Sequence, residues 1–179
     1  GKTIREGIIS VVPFWSVLCL TAADGGEGTL EAYLDNVGGE KKEETVLGPN
    51  GQEVSAQFAV LKDGSAVIEM AKASGLLIAN EGSSPLHTDT RGTGMLIKAA
   101  LNAGCRRIII GIGGSATNDG GAGMAAALGV RFLDKNGKAL VPTGGNLAFV
   151  ESVDISGLDE RIAQTEILVA CDVDNPLCG

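Results

Sequence analysis

Gly111-Ile112-Gly113-Gly114-Ser115-Ala116-Thr117-Asn118-Asp119-Gly120-Gly121 is the stretch on which the fold of this chain turns. The residues before it, Arg106 to Ile110, end in three consecutive isoleucines and read as a buried strand. Ala122 to Leu128, after it, reads as a helix stopped by Gly129. A glycine-rich turn between a strand and a helix exposes backbone N–H groups at a helix N-terminus, where an anion is favoured. Ser115, Thr117, Asn118 and Asp119 crowd the same turn, and desolvating such groups has a cost that only a partner offsets. The stretch therefore has the chemistry of a phosphate or carboxylate site.

Composition narrows the possible classes. The chain has 179 residues, room for one domain or two small lobes, and its 44% apolar and 20% charged residues suit a globular protein. Trp15, Tyr33 and four phenylalanines are its only aromatics, against 27 glycines, so the core is built from Ala, Val, Leu and Ile. A net charge of −8 argues against a nucleic-acid partner, which needs a basic surface. It also means that an anion must be held locally, by backbone donors, a few cations or a metal ion. Cys19, Cys105, Cys171 and Cys178 lack C-x-x-C spacing and read as small hydrophobes of a reducing compartment, so a cytoplasmic location is expected. The lone histidine, His87, gives no basis for a histidine metal site or a triad. Ile8 to Ala23 carries no charge behind Lys2 and Arg5 and imitates a secretory signal. Pro13 splits that run, and it is too short and broken to span a membrane.

The rest of the chain alternates in character. Ile4 to Val12 reads as a helix closed before Pro13, and Ser16 to Leu20 as a strand. Asp24-Gly25-Gly26-Glu27-Gly28-Thr29 forms a second glycine-rich turn, followed by Leu30, Tyr33, Leu34 and Val37 on one helical face. Residues 45–70 read as an antiparallel meander with turns at Gly48-Pro49-Asn50-Gly51 and Lys62-Asp63-Gly64-Ser65. From Thr90 onward the pattern is α/β: a helix over Leu96 to Ala103, the strand and turn above, a strand at Val130 to Leu133, and a tight Asn136-Gly137 turn. A last buried strand, Glu166 to Cys171, delivers Asp172-Val173-Asp174-Asn175-Pro176. Asp24, the 113–119 turn and Asp172 each follow an apolar strand, where open α/β sheets bind ligands. We expect an α/β protein of two lobes, a segment over 1–89 holding the meander and a Rossmann- or flavodoxin-like parallel-sheet segment over 90–179.

Two other readings compete for the turn. Gly111-x-Gly113-x-x-Ala116 fits a dinucleotide-binding turn, with Asp134 as the ribose-binding acid. Against it, Gly120-Gly121 would fall in the first turns of the helix and cost about 1 kcal/mol each. A Walker-type loop needs Gly-Lys-Ser/Thr, and no lysine lies between Lys98 and Lys135. Asp24 and Glu27 could together hold Mg²⁺, which takes a few carboxylates and substrate phosphate oxygens. Their plainer reading is a turn residue and a helix-dipole partner. Asp172 and Asn175 equally suit a turn before Pro176. Glu69, in an apolar strand, has Lys72 within pairing reach along the chain.

Three segments together resemble the bacterial type I glycerate kinase family: Ala23 to Thr29, Gly111 through Gly129 to Phe132 and Asp134, and Cys171 to Leu177. Val67 to Ala71, Ser74-Gly75-Leu76 and Thr90-x-Gly92-x-Gly94 support the likeness, which spans nearly the whole chain. Members of that family are longer at both ends, so the resemblance makes this a partial chain. It implies two α/β lobes with the site between them, and ATP-dependent phosphorylation of D-glycerate to 2-phosphoglycerate or 3-phosphoglycerate, with Mg²⁺. On that resemblance Gly25, Gly26, Glu27, Thr29, Gly113, Gly114, Ser115 and Thr117 would bind phosphate or substrate. Asp24, Asn118 and Asp119 would be catalytic, with Asp24 and Asp119 as metal ligands. Asp172 and Asn175 would close the site, and Arg91 would meet the glycerate carboxylate. Neither a nucleic acid nor a membrane is implied as a partner, and the oligomeric state is open. An NAD-dependent oxidoreductase and a non-catalytic module for small acids stand as the alternatives.

Overall fold

The isoleucine run is an interior strand of a five-stranded mixed sheet. The computed structural model describes residues 2–171, Val173 and Asp174. Its strands are β1 (Gly39–Leu47), β2 (Glu53–Leu61), β3 (Ala66–Glu69), β4 (Arg107–Gly111) and β8 (Glu166–Ala170). β1, β2 and β3 are joined antiparallel, and β3, β4 and β8 run parallel. The helices are α1 (Lys2–Val11), α2 (Thr29–Val37), the single turn α3 (Ala71–Ser74), α4 (Arg91–Asn102) and α5 (Ala122–Ala127). A small antiparallel sheet, β6-β5-β7, is formed by β5 (Arg131–Leu133), β6 (Ala139–Leu140) and β7 (Ser152–Asp154).

Alternation along the strands explains the layers. Val67 and Ile109 point to one side and pack with Leu30 of α2, Ala59 and Leu61. Ile68, Ile108 and Ile110 point to the other, against Leu96, Ile97, Ala100 and Leu101 of α4. A sheet covered on both faces needs apolar residues at successive positions, which is why β3 and β4 read as continuous runs rather than alternating ones. The α/β class expected from sequence is what the chain adopts.

The meander and the parallel strands share one hydrogen-bonded sheet. One expectation is corrected. Ser16 to Leu20 is not a strand, and Leu18 and Leu20 are 80% and 71% exposed. An apolar run becomes a strand only where another strand offers its edge, and among the described residues this run belongs to neither sheet. Thr21 is instead tied to α2: its hydroxyl donates to Asp35 at 2.9 Å, and Asn36 donates to its carbonyl at 2.7 Å. Among the described residues no helix is long and apolar enough to cross a membrane.

Candidate active site

Two glycine-rich turns meet at the carboxyl ends of the parallel strands. The register sets Glu69, Gly111 and Ala170 side by side where β3, β4 and β8 end. Gly25 lies over this line. A Cβ on Gly25 would come within 2.6 Å of the Ala170 carbonyl oxygen, and one on Gly111 within 2.4 Å of the Gly25 carbonyl oxygen. The Gly113 amide donates to that same Gly25 carbonyl at 3.1 Å. Gly113 sits so close to Gly26 that a Cβ would reach 2.6 Å from its Cα. These glycines therefore permit backbone to lie on backbone, which no other residue allows.

The first turn presents its acids outward. Asp24 and Glu27 are exposed. Asp24 Oδ1 accepts the Gly26 amide at 3.0 Å, and its other oxygen has no protein partner among the described residues. Thr29 is buried and its hydroxyl donates to the Gly26 carbonyl at 2.8 Å, so it shapes the turn from beneath. The Leu30 amide, in the first turn of α2, donates to Glu69 Oε1 at 2.8 Å. Glu69 is only 2% exposed, and the Lys72 ammonium stands 3.6 Å from its second oxygen. A buried carboxylate is tolerable here because a helix N-terminus and a cation both face it. Lys72 is itself partly exposed, which leaves a positive charge at the surface of the site.

Between the two turns lies a cavity of about 370 Å³, whose polar wall is Glu27, Glu69, Lys72, Gly113 and Gly114. Sequence alone did not single out Lys72 for this role. It lies far along the chain from either glycine motif, and only the end of β3 brings it there.

The donors of the 111–121 turn divide between structure and site. The Gly113 amide is taken by Gly25. The Ser115 hydroxyl stays within the turn, 2.9 Å from the Thr117 hydroxyl, and accepts the Thr117 amide at 3.1 Å. Among the described residues the Gly114 and Ser115 amides have no acceptor, so these are the N–H groups that an anion would meet. Gly114 takes φ 75, the left-handed backbone that favours glycine. The turn is pinned to its neighbour by two bonds, Leu76 N–H to Gly114 at 3.0 Å and Ala116 N–H to Ser74 at 2.9 Å.

Several expected site residues lie elsewhere. Asp119 is 1% exposed. One oxygen accepts the Thr90 amide, the Thr90 hydroxyl and the Gly123 amide at 2.8–2.9 Å, and the other accepts the Gly121 amide at 3.1 Å. With four donors on it, this buried carboxylate fastens α4 to α5. Asn118 is exposed, but it faces Gly144 rather than the cavity. Arg91 is clasped by buried Asp89, with Nε at 2.9 Å from Oδ1 and the guanidinium at 2.9 Å from Oδ2, and it lines a separate groove with Glu44 and Lys98. Asp172 and Asn175 lie outside the described residues.

The dinucleotide-binding alternative meets two obstacles. α5 starts only at Ala122, after Gly120 and Gly121 at φ 62 and φ 79, whereas that motif opens its helix within itself. Asp134 accepts the Asn136 and Lys138 amides at 2.8 and 2.9 Å inside the β5–β6 hairpin, so the ribose-binding acid is a turn residue.

The glycerate kinase family profile matches residues 1–179. The chain is 53% identical over its whole length to a glycerate kinase of Bacillus subtilis and 48% identical to a glycerate 2-kinase of Escherichia coli, covering 47% and 48% of those proteins. A solved structure described as a "putative glycerate kinase 2" from Salmonella typhimurium superposes with a TM-score of 0.93 at 48% identity, over 99% of this chain and 48% of that one. The chain thus spans about half the length of the curated relatives it matches.

Proposed function

The chain belongs to the glycerate kinase family, and on that footing we propose that its protein phosphorylates D-glycerate with ATP, giving 2-phosphoglycerate, with 3-phosphoglycerate as the alternative product. What carries this reading is the docking of the two glycine turns beside one cavity, whose lining holds Gly114 with its free amide, the Lys72 ammonium and the exposed acid Glu27. Phosphoryl transfer needs positioning and charge neutralisation more than covalent chemistry, and these are what such a cavity can supply.

In the proposed assignment the Gly114 and Ser115 amides and the Lys72 ammonium hold phosphate oxygens. Glu69 keeps Lys72 in place through its ion pair. Asp24 and Glu27 are left as the acids that accept the glycerate hydroxyl proton and orient that hydroxyl. They also fit a magnesium ion, since Asp24 has an uncommitted oxygen and this ion needs few protein carboxylates beside substrate phosphates. Bound there, it would neutralise charge on the transferring phosphoryl group. Asp119 moves from catalyst to support, as the fastener of α4 and α5 beneath the turn.

The test is a coupled ATP-consumption assay with D-glycerate on the full gene-encoded protein, with the product identified by phosphorus NMR. Turnover dependent on glycerate supports the reading. ATP left unconsumed, or NAD bound tightly in its place, would sink it.

A further inference from the structure

The cavity between the glycine turns has a second wall of a different kind. Leu76, Leu77 and Ile78 form it, and Leu76 and Leu77 are 67% and 87% exposed. Two neighbouring leucines held in water on the lip of a polar cavity mark a surface meant to be covered. Their position is not loose. The Gly75–Ser115 bridge ties this segment to the glycine turn through the Leu76 and Ala116 amides. Gln52 donates to the Ile78 carbonyl at 2.9 Å and fastens its far end. The apolar wall is therefore held at a set distance from the free Gly114 and Ser115 amides and from Lys72.

Resting on the kinase reading above, we propose that Leu76 and Leu77 are the face on which the purine base of the nucleotide lies, with its phosphates reaching across to Gly114, Ser115 and Lys72. The two candidate ligands differ in the surface they offer. Glycerate has three carbons, each bearing oxygen, and has no apolar face to set against two leucines. A purine has a flat, weakly polar ring of the right extent, joined to a phosphate chain. A ligand with one apolar end and one anionic end matches a cavity with one apolar wall and an opposite wall where the Gly114 amide and the Lys72 ammonium stand beside Glu27 and Glu69. A volume of about 370 Å³ suits the size range of pockets that enclose such ligands. Glycerate would then approach from the side of Asp24 and Glu27.

The experiment separates base contacts from phosphate contacts. In the full-length protein, Leu77→Ser and the Leu76→Ser/Leu77→Ser double variant are compared with the parent for KM of ATP, KM of D-glycerate, and inhibition by ADP and by tripolyphosphate. KM for ATP and the ADP inhibition constant are expected to rise about tenfold, while tripolyphosphate inhibition and KM for glycerate stay put. Leu77→Met should restore ATP affinity. Unchanged KM for ATP overturns the proposal, as does equal weakening of ADP and tripolyphosphate. So does a lowered Tm with unaltered nucleotide binding, which would mean that another protein segment covers the leucines. A parent protein that phosphorylates glycerate while its leucine variants keep normal ATP affinity defeats only the base assignment. A parent without glycerate-dependent ATP turnover defeats the kinase reading and this inference with it.

Discussion

Two aspartates of the glycine motifs look alike on paper and behave as opposites in the folded chain. Asp24 is exposed with one oxygen uncommitted, whereas Asp119 is buried under four donors. Asp24→Asn should therefore lower kcat for glycerate phosphorylation by a factor of about 100 or more, with stability changed by less than about 0.5 kcal/mol. Asp119→Ala should do the reverse in its primary effect. Removing that carboxylate strands buried amides and a hydroxyl, and a loss on the order of 3 kcal/mol is expected in urea unfolding. Equal stability of the two variants, or normal turnover of Asp24→Asn, would contradict these roles. Lys72 shows the limit of reading residues singly. The sequence placed it within reach of Glu69, and its place beside the cavity follows only from where β3 ends.

At the scale of elements, the site is a contact between two turns rather than a single loop. Gly25, Gly111 and Gly113 let the turns touch backbone to backbone. Gly113→Ala places a Cβ 2.6 Å from Gly26 Cα and must push the turns apart. We expect a fall in kcat/KM of about 100-fold, as small displacements of positioning groups produce, together with a destabilisation of about 1–3 kcal/mol. Gly64→Ala is the control. Gly64 has φ 81 in the β2–β3 turn with no atom near its would-be Cβ, so the cost is backbone strain of about 1 kcal/mol and turnover should hold. The elements themselves were unevenly legible. β4 announced itself because both faces of the sheet are covered. β1 begins at Gly39, ahead of the expected meander, and its Glu-Lys-Lys-Glu-Glu run hid it, because an edge strand facing water needs no apolar pattern. Ser16 to Leu20 had the pattern, yet among the described residues it joins neither sheet.

For the whole molecule, acid sensitivity follows from carboxylates tied into turns. Asp63, Asp134, Asp154 and Asp159 all titrate below the usual aspartate value. Ser65 and Ser156 hold the first and third, the Lys138 and Asn136 amides the second, and Arg161 the fourth. Asp159 is lowered from 3.8 to about 2 by the Arg161 side chain beside it. A carboxyl whose folded pKa lies below its unfolded one favours the folded chain above the unfolded value, and that favour is lost as pH falls toward the folded value. Stability should therefore decline as pH drops from about 4 toward about 2. Asp159→Asn should flatten that decline in circular-dichroism unfolding curves. A variant as steeply acid-sensitive as the parent would count against this assignment.

The order of residues alone determined the α/β class, the strand–glycine turn–helix unit, the second glycine turn and the kinship with glycerate kinases. Each of these depends on local patterns, such as apolar runs, glycine spacing and turn chemistry, which are written along the chain. Tertiary structure decided which polar groups stay exposed and which are taken up inside the fold. It sent Asp119 inward, clasped Arg91 to Asp89, joined the meander to the parallel sheet and brought Lys72 beside Gly113. Those outcomes depend on which strands become neighbours and which donors a carboxylate finds once water is expelled. A side chain's type sets what it can bind, and only the packing around it settles whether that capacity is already taken.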